Sequence, residues 1–375
     1  MIHTLPPEVW LSIFKDFQWP QHELASMMSI SAYTKNIVET LLYKHPEIGN
    51  QSQDLEISHL VEQFHRSITK GDGHLADIVQ SLHLSGSCRS GQPGSDNTCL
   101  TTPLLMSLRN LKHLSLFFCD MVLIPPAVDP SCQFASITHL DYSTELDDPV
   151  AFAAFLGSLP SLEYMKSWGD YIGSIPLAPE ALPRLRHLDY ASFDSAVSVL
   201  TGRHVPHVCL FFDDLEPLIP LLNDGADYST LRDTFRCVES LSVVSEHVGP
   251  ITLIICASYF QGIKYLQIRS EITMPSVDVV LDLAGTLQAT KLEYFELNLF
   301  CYKILTANSA RTLFSQIPTL KIFDLRRTII DADSEDCRFR RDKLKDGSES
   351  IQAKPLTQWN RWWTVIEEDL GDVKG

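Results

Sequence analysis

One short pattern returns along most of this 375-residue chain, and any fold must give each copy the same kind of place. The pattern is apolar-x-x-apolar-x-apolar. It appears as Leu111-Leu114-Leu116, Ile137-Leu140-Tyr142, Leu162-Met165 with Ser167, Leu185-Leu188-Tyr190 and Val205-Val208-Leu210. It returns as Val238-Leu241-Val243, Ile263-Leu266-Ile268, Leu292-Phe295-Leu297 and Leu320-Phe323-Leu325, and Val79-Leu82-Leu84 reads as an opening copy. The middle residues recur in steps of 20 to 33 residues. The last half of the pattern has the period of two that marks a strand with alternate side chains turned inward. The residues between copies must bring the chain back, through helices over 150–159 and 277–287 among others. No unit of this size buries its apolar face alone, so stacking of neighbours has to create the core.

This spacing resembles the leucine-rich repeat, whose units run to about 20–29 residues, and the resemblance covers residues 76–330. It implies an α/β solenoid with parallel strands on the concave side and helices and loops outside. The family's usual Asn or Cys, three residues after the strand's last Leu, is present only as Cys119. Glu145, Asp170, Phe193, Glu246, Glu271, Phe300 and Thr328 stand there in other units, so the expected solenoid is irregular. Cys119 reads as a buried ladder thiol.

Residues that alternate with the buried ones face the concave surface. Just before each middle apolar residue stand His113, His139, Tyr164, His187, His207, Ser240, Tyr265, Tyr294 and Ile322, mostly flat rings with polar tips. Further along the strands come Phe117, Asp141, Lys166, Trp168, Asp189, Gln267, Arg269, Glu296, Asn298, Asp324 and Arg326. Rings of this kind make good contact residues in protein interfaces, and mixed charge suits a protein partner. The candidate target-binding set is His113, Phe117, His139, Tyr164, Trp168, His187, His207, Tyr265, Arg269 and Tyr294. The other reading of the same rings is a structural ladder in which they only stack on one another. Successive rungs lack the close His, Asp or Cys sets of a metal site, so no metal and no cofactor is expected.

The first 48 residues read differently. Thr4 suits a helix N-cap, Pro6 and Pro7 suit a first turn, and Leu5, Val9, Ile13, Phe14 and Phe17 fall near helical spacing. Trp19-Pro20 breaks that helix, and two more patterns follow through Leu24, Met27, Met28 and Ile30, then Ile37, Leu41 and Leu42. Leu5-Pro6-Pro7-Glu8-Val9-Trp10 with Ile13-Phe14, and the later Glu39-Thr40-Leu41-Leu42-Tyr43, resemble a fungal-type F-box. That resemblance implies a small all-α module in which Leu5, Pro6, Val9, Ile13 and Phe14, with Leu41 and Leu42, contact a Skp-type adaptor and through it a cullin scaffold. The chain would then be a substrate-recognition subunit of a Skp-cullin-F-box type ubiquitin ligase, binding a protein target on the repeat concave face. The alternative is a leucine-rich-repeat interaction scaffold without ligase role, whose N-terminal helices act as a cap.

The remaining boundaries follow from composition. Residues 49–75 read as a helical linker, 86–101 as a surface loop rich in Gly and Ser, and 331–355 as a charged flexible segment. Leu356, Trp359, Trp362, Trp363, Ile366 and Leu370 place a helix in 356–375, which either caps the array or presents an aromatic peptide to a partner. The net charge of -17 opposes nucleic acid and anionic membrane surfaces, and neither is expected as a partner. Nine cysteines without a CxxC pair, an N-terminus without a secretion pattern, and no long apolar run lead to an expected cytoplasmic or nuclear location. HExxH, GxSxG, GxxxxGK(S/T) and GxGxxG are all absent from the sequence, and no enzymatic activity is expected.

Overall fold

Each copy of the pattern becomes a short strand whose alternate residues are buried. A computed structural model describes residues 21–29, 32–49, 57–70, 73–86, 101–117, 134–143, 149–167, 175–212, 233–247, 256–273, 285–299, 307–327, 337–343 and 349–355. The chain divides into two units, residues 1–185 and 186–375.

The first unit opens with helices α1 (Gln21–Met27) and α2 (Ala32–Lys44), followed by strand β1 (Glu47–Gly49) and helices α3 (Ser58–Thr69) and α4 (His74–Ile78). Then come β2 (Ser81–Ser85), α5 (Thr101–Ser107), β3 (His113–Phe117), β4 (His139–Ser143), α6 (Pro149–Gly157) and β5 (Tyr164–Ser167). The strands lie side by side in chain order, all parallel. The register aligns Leu82, Leu114, Leu140 and Met165, the middle residues of successive sequence repeats.

The second unit carries β6 (His187–Ala191), α7 (Phe193–Leu200), β7 (His207–Phe212), β8 (Ser240–His247), β9 (Tyr265–Thr273), a 3-10 turn at Gly285–Ala289, β10 (Tyr294–Leu299), α8 (Ala307–Gln316) and β11 (Ile322–Arg327). Here Leu188, Val208, Leu241, Leu266, Phe295 and Phe323 align. β12 (Cys337–Lys343) and β13 (Glu349–Pro355) close the sheet as an antiparallel hairpin.

A backbone joint recurs in both units. The carbonyl of Gln80 accepts from the N–H groups of both Lys112 and His113, Lys112 O from Thr138 and His139, and Thr138 O from Glu163 and Tyr164. In the second unit Pro206, Glu239, Lys264 and Glu293 do the same for the pairs 239–240, 264–265, 293–294 and 321–322. Just upstream, an i to i−3 turn brings in one more apolar residue, as in Leu108/Leu111, Phe134/Ile137, Phe260/Ile263 and Ile317/Leu320, all buried. Full burial of each such side chain is worth about 1.5–3 kcal/mol, so the stacked rows supply the core.

Two elements depart from the sequence expectation. β1 straddles the expected boundary between the helical module of residues 1–48 and the helical linker of residues 49–75. It pairs Glu47, Ile48 and Gly49 with His83, Leu84 and Ser85, so the sheet starts one strand earlier than the repeats do. Three residues are too few to show a period. The second departure is the hairpin, which stands in place of a charged flexible segment. Several of its charges find partners, Arg338 with Asp324 and Arg340 with Asp342, so they do not keep the chain in solvent. Phe339 turns inward and stacks on Phe323 at 5.9 Å. Arg341 lays its guanidinium 5.0 Å over the Phe314 ring and donates to the carbonyls of Phe314, in the last turn of α8, and Pro318, just beyond it. Arg203 does the same for α7, donating to Val199 O at 2.8 Å and Thr201 O at 3.1 Å, where helix carbonyls lack internal partners. The helix expected over 277–287 appears only as the 3-10 turn, residues 277–284 lying outside the described residues.

Candidate functional site

The residues that alternate with the core form the other face of each sheet. In the first unit this face is open: His113 is exposed, and Phe117, His139, Asp141, Ser143, Tyr164 and Lys166 are half-buried. Because the strands are parallel and in register, rings at the first strand position fall beside one another. His113 and His139 stack at 4.2 Å between centroids, and His139 meets Tyr164 at 5.5 Å. Thr138 Oγ1 sits 2.9 Å from His139 Nδ1, which fixes that ring's orientation. At the strand ends Phe117 packs against His83 at 5.1 Å. Partial burial holds His113 below the ordinary imidazole value, with Asp141 opposing and Lys112 reinforcing that shift. Burial, then Lys44 and His113, lowers His45 similarly, so His113 and His45 are mostly uncharged near neutral pH.

The second unit uses the same positions otherwise. His187 and His207 stack at 4.6 Å with rings 10° from parallel, and burial is the largest cause lowering His207. Beyond them Ser240, Ser242, Val244, Tyr265, Tyr294, Glu296, Asn298 and Asp324 are all buried. Tyr265 and Tyr294 lie 6.4 Å apart with Ile322 packed against them. Burial, aided by Glu293 and Glu239, pushes the Tyr265 phenol up to about 12. Arg269 is half-buried and stands in register with Val244 and Asn298.

A polar chain crosses this second face. Ser242 Oγ donates to Gln267 Oε1 at 2.7 Å, and Gln267 Nε2 donates to Glu296 Oε1 at 2.9 Å. The Tyr294 hydroxyl lies 2.9 Å from Glu296 Oε2 and 2.6 Å from Asp324 Oδ2. Arg338 grips Asp324 with Nε at 2.9 Å from Oδ1 and an η nitrogen at 2.8 Å from Oδ2. A fork of this kind is among the stronger polar contacts a protein makes.

The candidate set is therefore split. His113, Phe117, His139 and Tyr164 come together on the open face of the first unit. His187, His207, Tyr265, Arg269 and Tyr294 belong to the second, where both tyrosines are buried and Tyr294 spends its hydroxyl within the chain. Trp168 lies outside the described residues, as do Leu5, Pro6, Val9, Ile13 and Phe14. Leu41 and Leu42 are on α2, half-buried against Ile37 and Val38 together with Leu24, Met27 and Met28. Arg338 was not among the candidates. Its signal was the alternation Arg338-Phe339-Arg340, a strand pattern inside a run of charges. Cys119 and the helix expected in 356–375 also fall outside the described residues.

Among the described residues no group of three or more His, Cys, Asp or Glu is placed to hold a metal ion, and no helix is long and apolar enough to cross a membrane. Cys209, Cys237 and Cys256 form no disulfide, and burial pushes Cys256 up to about 12, a poor nucleophile.

No family model and no curated protein sequence matches this chain. Among solved structures, a protein from Bacteroides fragilis is similar at a TM-score of 0.35 and 14% identity, over 75% of this chain and 74% of its own. The leucine-rich repeat-containing protein LegL7 from Legionella pneumophila is similar at a TM-score of 0.44 and 14% identity, over 82% of this chain and 92% of its own.

Proposed function

We propose that this chain is a non-enzymatic recognition protein that holds a protein target on the open face of its first unit, and that it does so as the substrate-recognition subunit of a Skp-cullin-F-box type ubiquitin ligase. The observation that carries the recognition reading is the row His113, His139 and Tyr164, stacked yet still accessible. Rigid rings give contact area at small entropic cost, because the scaffold has already ordered them. The ligase role comes from the F-box resemblance of residues 1–48. In it Leu5, Pro6, Val9, Ile13 and Phe14 meet a Skp-type adaptor, with Leu41 and Leu42 in the same module. The chain would then contribute proximity, and its partners the transfer chemistry.

A second reading, a repeat scaffold whose N-terminal helices serve as a cap, draws support from how α2 meets the first repeat. Gln80 N donates to Lys44 O at 2.9 Å and His83 N to Pro46 O at 3.0 Å. The buried Glu39 of α2 faces His74 of α4 at 3.7 Å.

Co-expression with a Skp-type adaptor separates the two. The ligase reading expects stoichiometric co-purification that the double variant Leu5→Asp, Ile13→Asp abolishes while the repeats stay folded. A folded wild-type chain that leaves the adaptor behind would sink it and leave the capped scaffold. With a target in hand, His139→Ala with Tyr164→Ala should weaken binding at least about tenfold, the scale of an interface hot spot.

A further inference from the structure

The last strand of the second unit has an outer edge whose backbone groups can be assigned one by one. Among the described residues β13 pairs with β12, and no strand lies beyond it. One bond sets the directions. Arg341 N donates to Lys321 O at 2.8 Å, so the N–H and C=O of Arg341 point toward β11. In an antiparallel ladder these directions alternate along a strand, so Arg340 and Asp342 point toward β13. Their register partners Gln352 and Ser350 therefore bond inward to β12, as Lys354 does opposite Arg338. Glu349, Ile351 and Ala353 are left to turn their N–H and C=O groups outward. Pro355, which has no N–H, belongs to the outward set, so β12 asks no donor of it.

We propose that this edge pairs with the same edge of a second copy of the chain, antiparallel about a two-fold axis at Ile351. In that register Glu349 of either copy lies opposite Ala353 of the other, and the two Ile351 residues lie opposite each other. Every outward N–H of Glu349, Ile351 and Ala353 then meets an outward C=O of the other copy, and Pro355 falls beyond the ladder. A second copy suits the edge because the strand matches itself, as an interface on a two-fold axis must. The rows between the bonds set half-buried Ser350 against exposed Gln352, so no like charges are opposed at the seam. One strand further back, Asp342 aligns with Ser350 and Arg340 with Gln352. Each of these rows thus runs from the carboxylate of one copy to the guanidinium of the other, an arrangement of complementary charge. On the opposite side of the sheet Ile351 stands in register with Arg341, whose guanidinium covers Phe314. Two half-exposed Ile351 side chains meeting there take apolar surface out of water.

A seam of one short strand is far smaller than a permanent interface, so the dimer forms and parts with concentration. The net charge of -17 on each copy opposes it, and added salt strengthens it by screening. The test is sedimentation of the full chain from about 1 μM to about a hundredfold higher, with two proline variants beside wild type. Wild type should pass from monomer to dimer across that range. Ile351→Pro removes an outward N–H and leaves the bonds to β12, so it should stay monomeric throughout. Gln352→Pro removes an inward N–H, and its melting temperature should fall further than that of Ile351→Pro. A wild type that stays monomeric, or an Ile351→Pro chain that dimerises like wild type, overturns the proposal. So does the reverse order of the two melting temperatures, which would mean that the other set of residues faces out. Hydrogen exchange at the Ile351 amide of wild type gives a readout that does not depend on a variant folding. Protection that grows with protein concentration supports the pairing, and protection indifferent to concentration overturns it.

Discussion

In β4 the face that alternates with the core carries His139, Asp141 and Ser143, all half-exposed; in β10 the same three positions carry Tyr294, Glu296 and Asn298, all buried. Both strands have the same inward row and the same carbonyl joint to the strand before. The repeat therefore sets where side chains point and leaves open whether water reaches them. In the first unit the second face is surface available to a partner. In the second it is a second interior, and interiors favour polar groups that are bonded, although Ser240 Oγ there has no hydrogen-bond partner. Hence the long run from Ser242 to Arg338 in the second unit.

The contrast is most exposed to failure at its two aspartates, which occupy the same repeat position. Asp324→Ala should cost about 3 kcal/mol, because it strands a partly buried guanidinium and the Tyr294 hydroxyl. Asp141→Ala should stay within about 0.5 kcal/mol, as for most surface changes. Denaturant titrations that gave equal losses would erase the distinction between the units.

A somewhat smaller effect is expected at the start of the sheet. Gly49 ends β1 at φ +111°, and a Cβ there would land on the Ser85 carbonyl oxygen. Gly49→Ala should lower stability by about 2 kcal/mol through strain and lost pairing with β2. A silent substitution, measured by the same titration, would mean that β1 is not part of the folded sheet.

The smallest expected effect is a pH slope. His113 and His207 both sit below 6.5 in the folded chain, burial being the main cause in each. The unfolded chain then binds more protons as pH drops through 6.5, so stability is full above that value and falls below it. His207 is the less exposed of the two. His207→Gln should therefore flatten the acid side of a melting-temperature profile more than His113→Gln does, and the reverse order would contradict the assignment of the open face to the first unit.

Much of this architecture is legible in the residues themselves. Leu82, Leu114, Leu140 and Met165 align in space as they do in the pattern, because a period-two row with one buried face tolerates no slip. β1 escapes because three residues carry no period, and the hairpin escapes because arginines read as solvent-seeking until Asp324 and the carbonyls at the end of α8 are in place. The candidate site is legible as positions but not as accessibility. Tyr164 and Tyr294 are the same residue at the same repeat position, and only the surroundings of each decide that one is half-open and the other closed.

The doubled carbonyl joint has an evolutionary consequence. At this joint successive repeats are fastened by backbone atoms, one oxygen holding two amides, and the joint itself uses no side chain. Letters on the open face can thus change freely without disturbing how the strands meet. A lineage could rewrite His113, His139 and Tyr164 to follow a changing partner while inheriting the same frame, and selection for binding and selection for folding would act on different atoms.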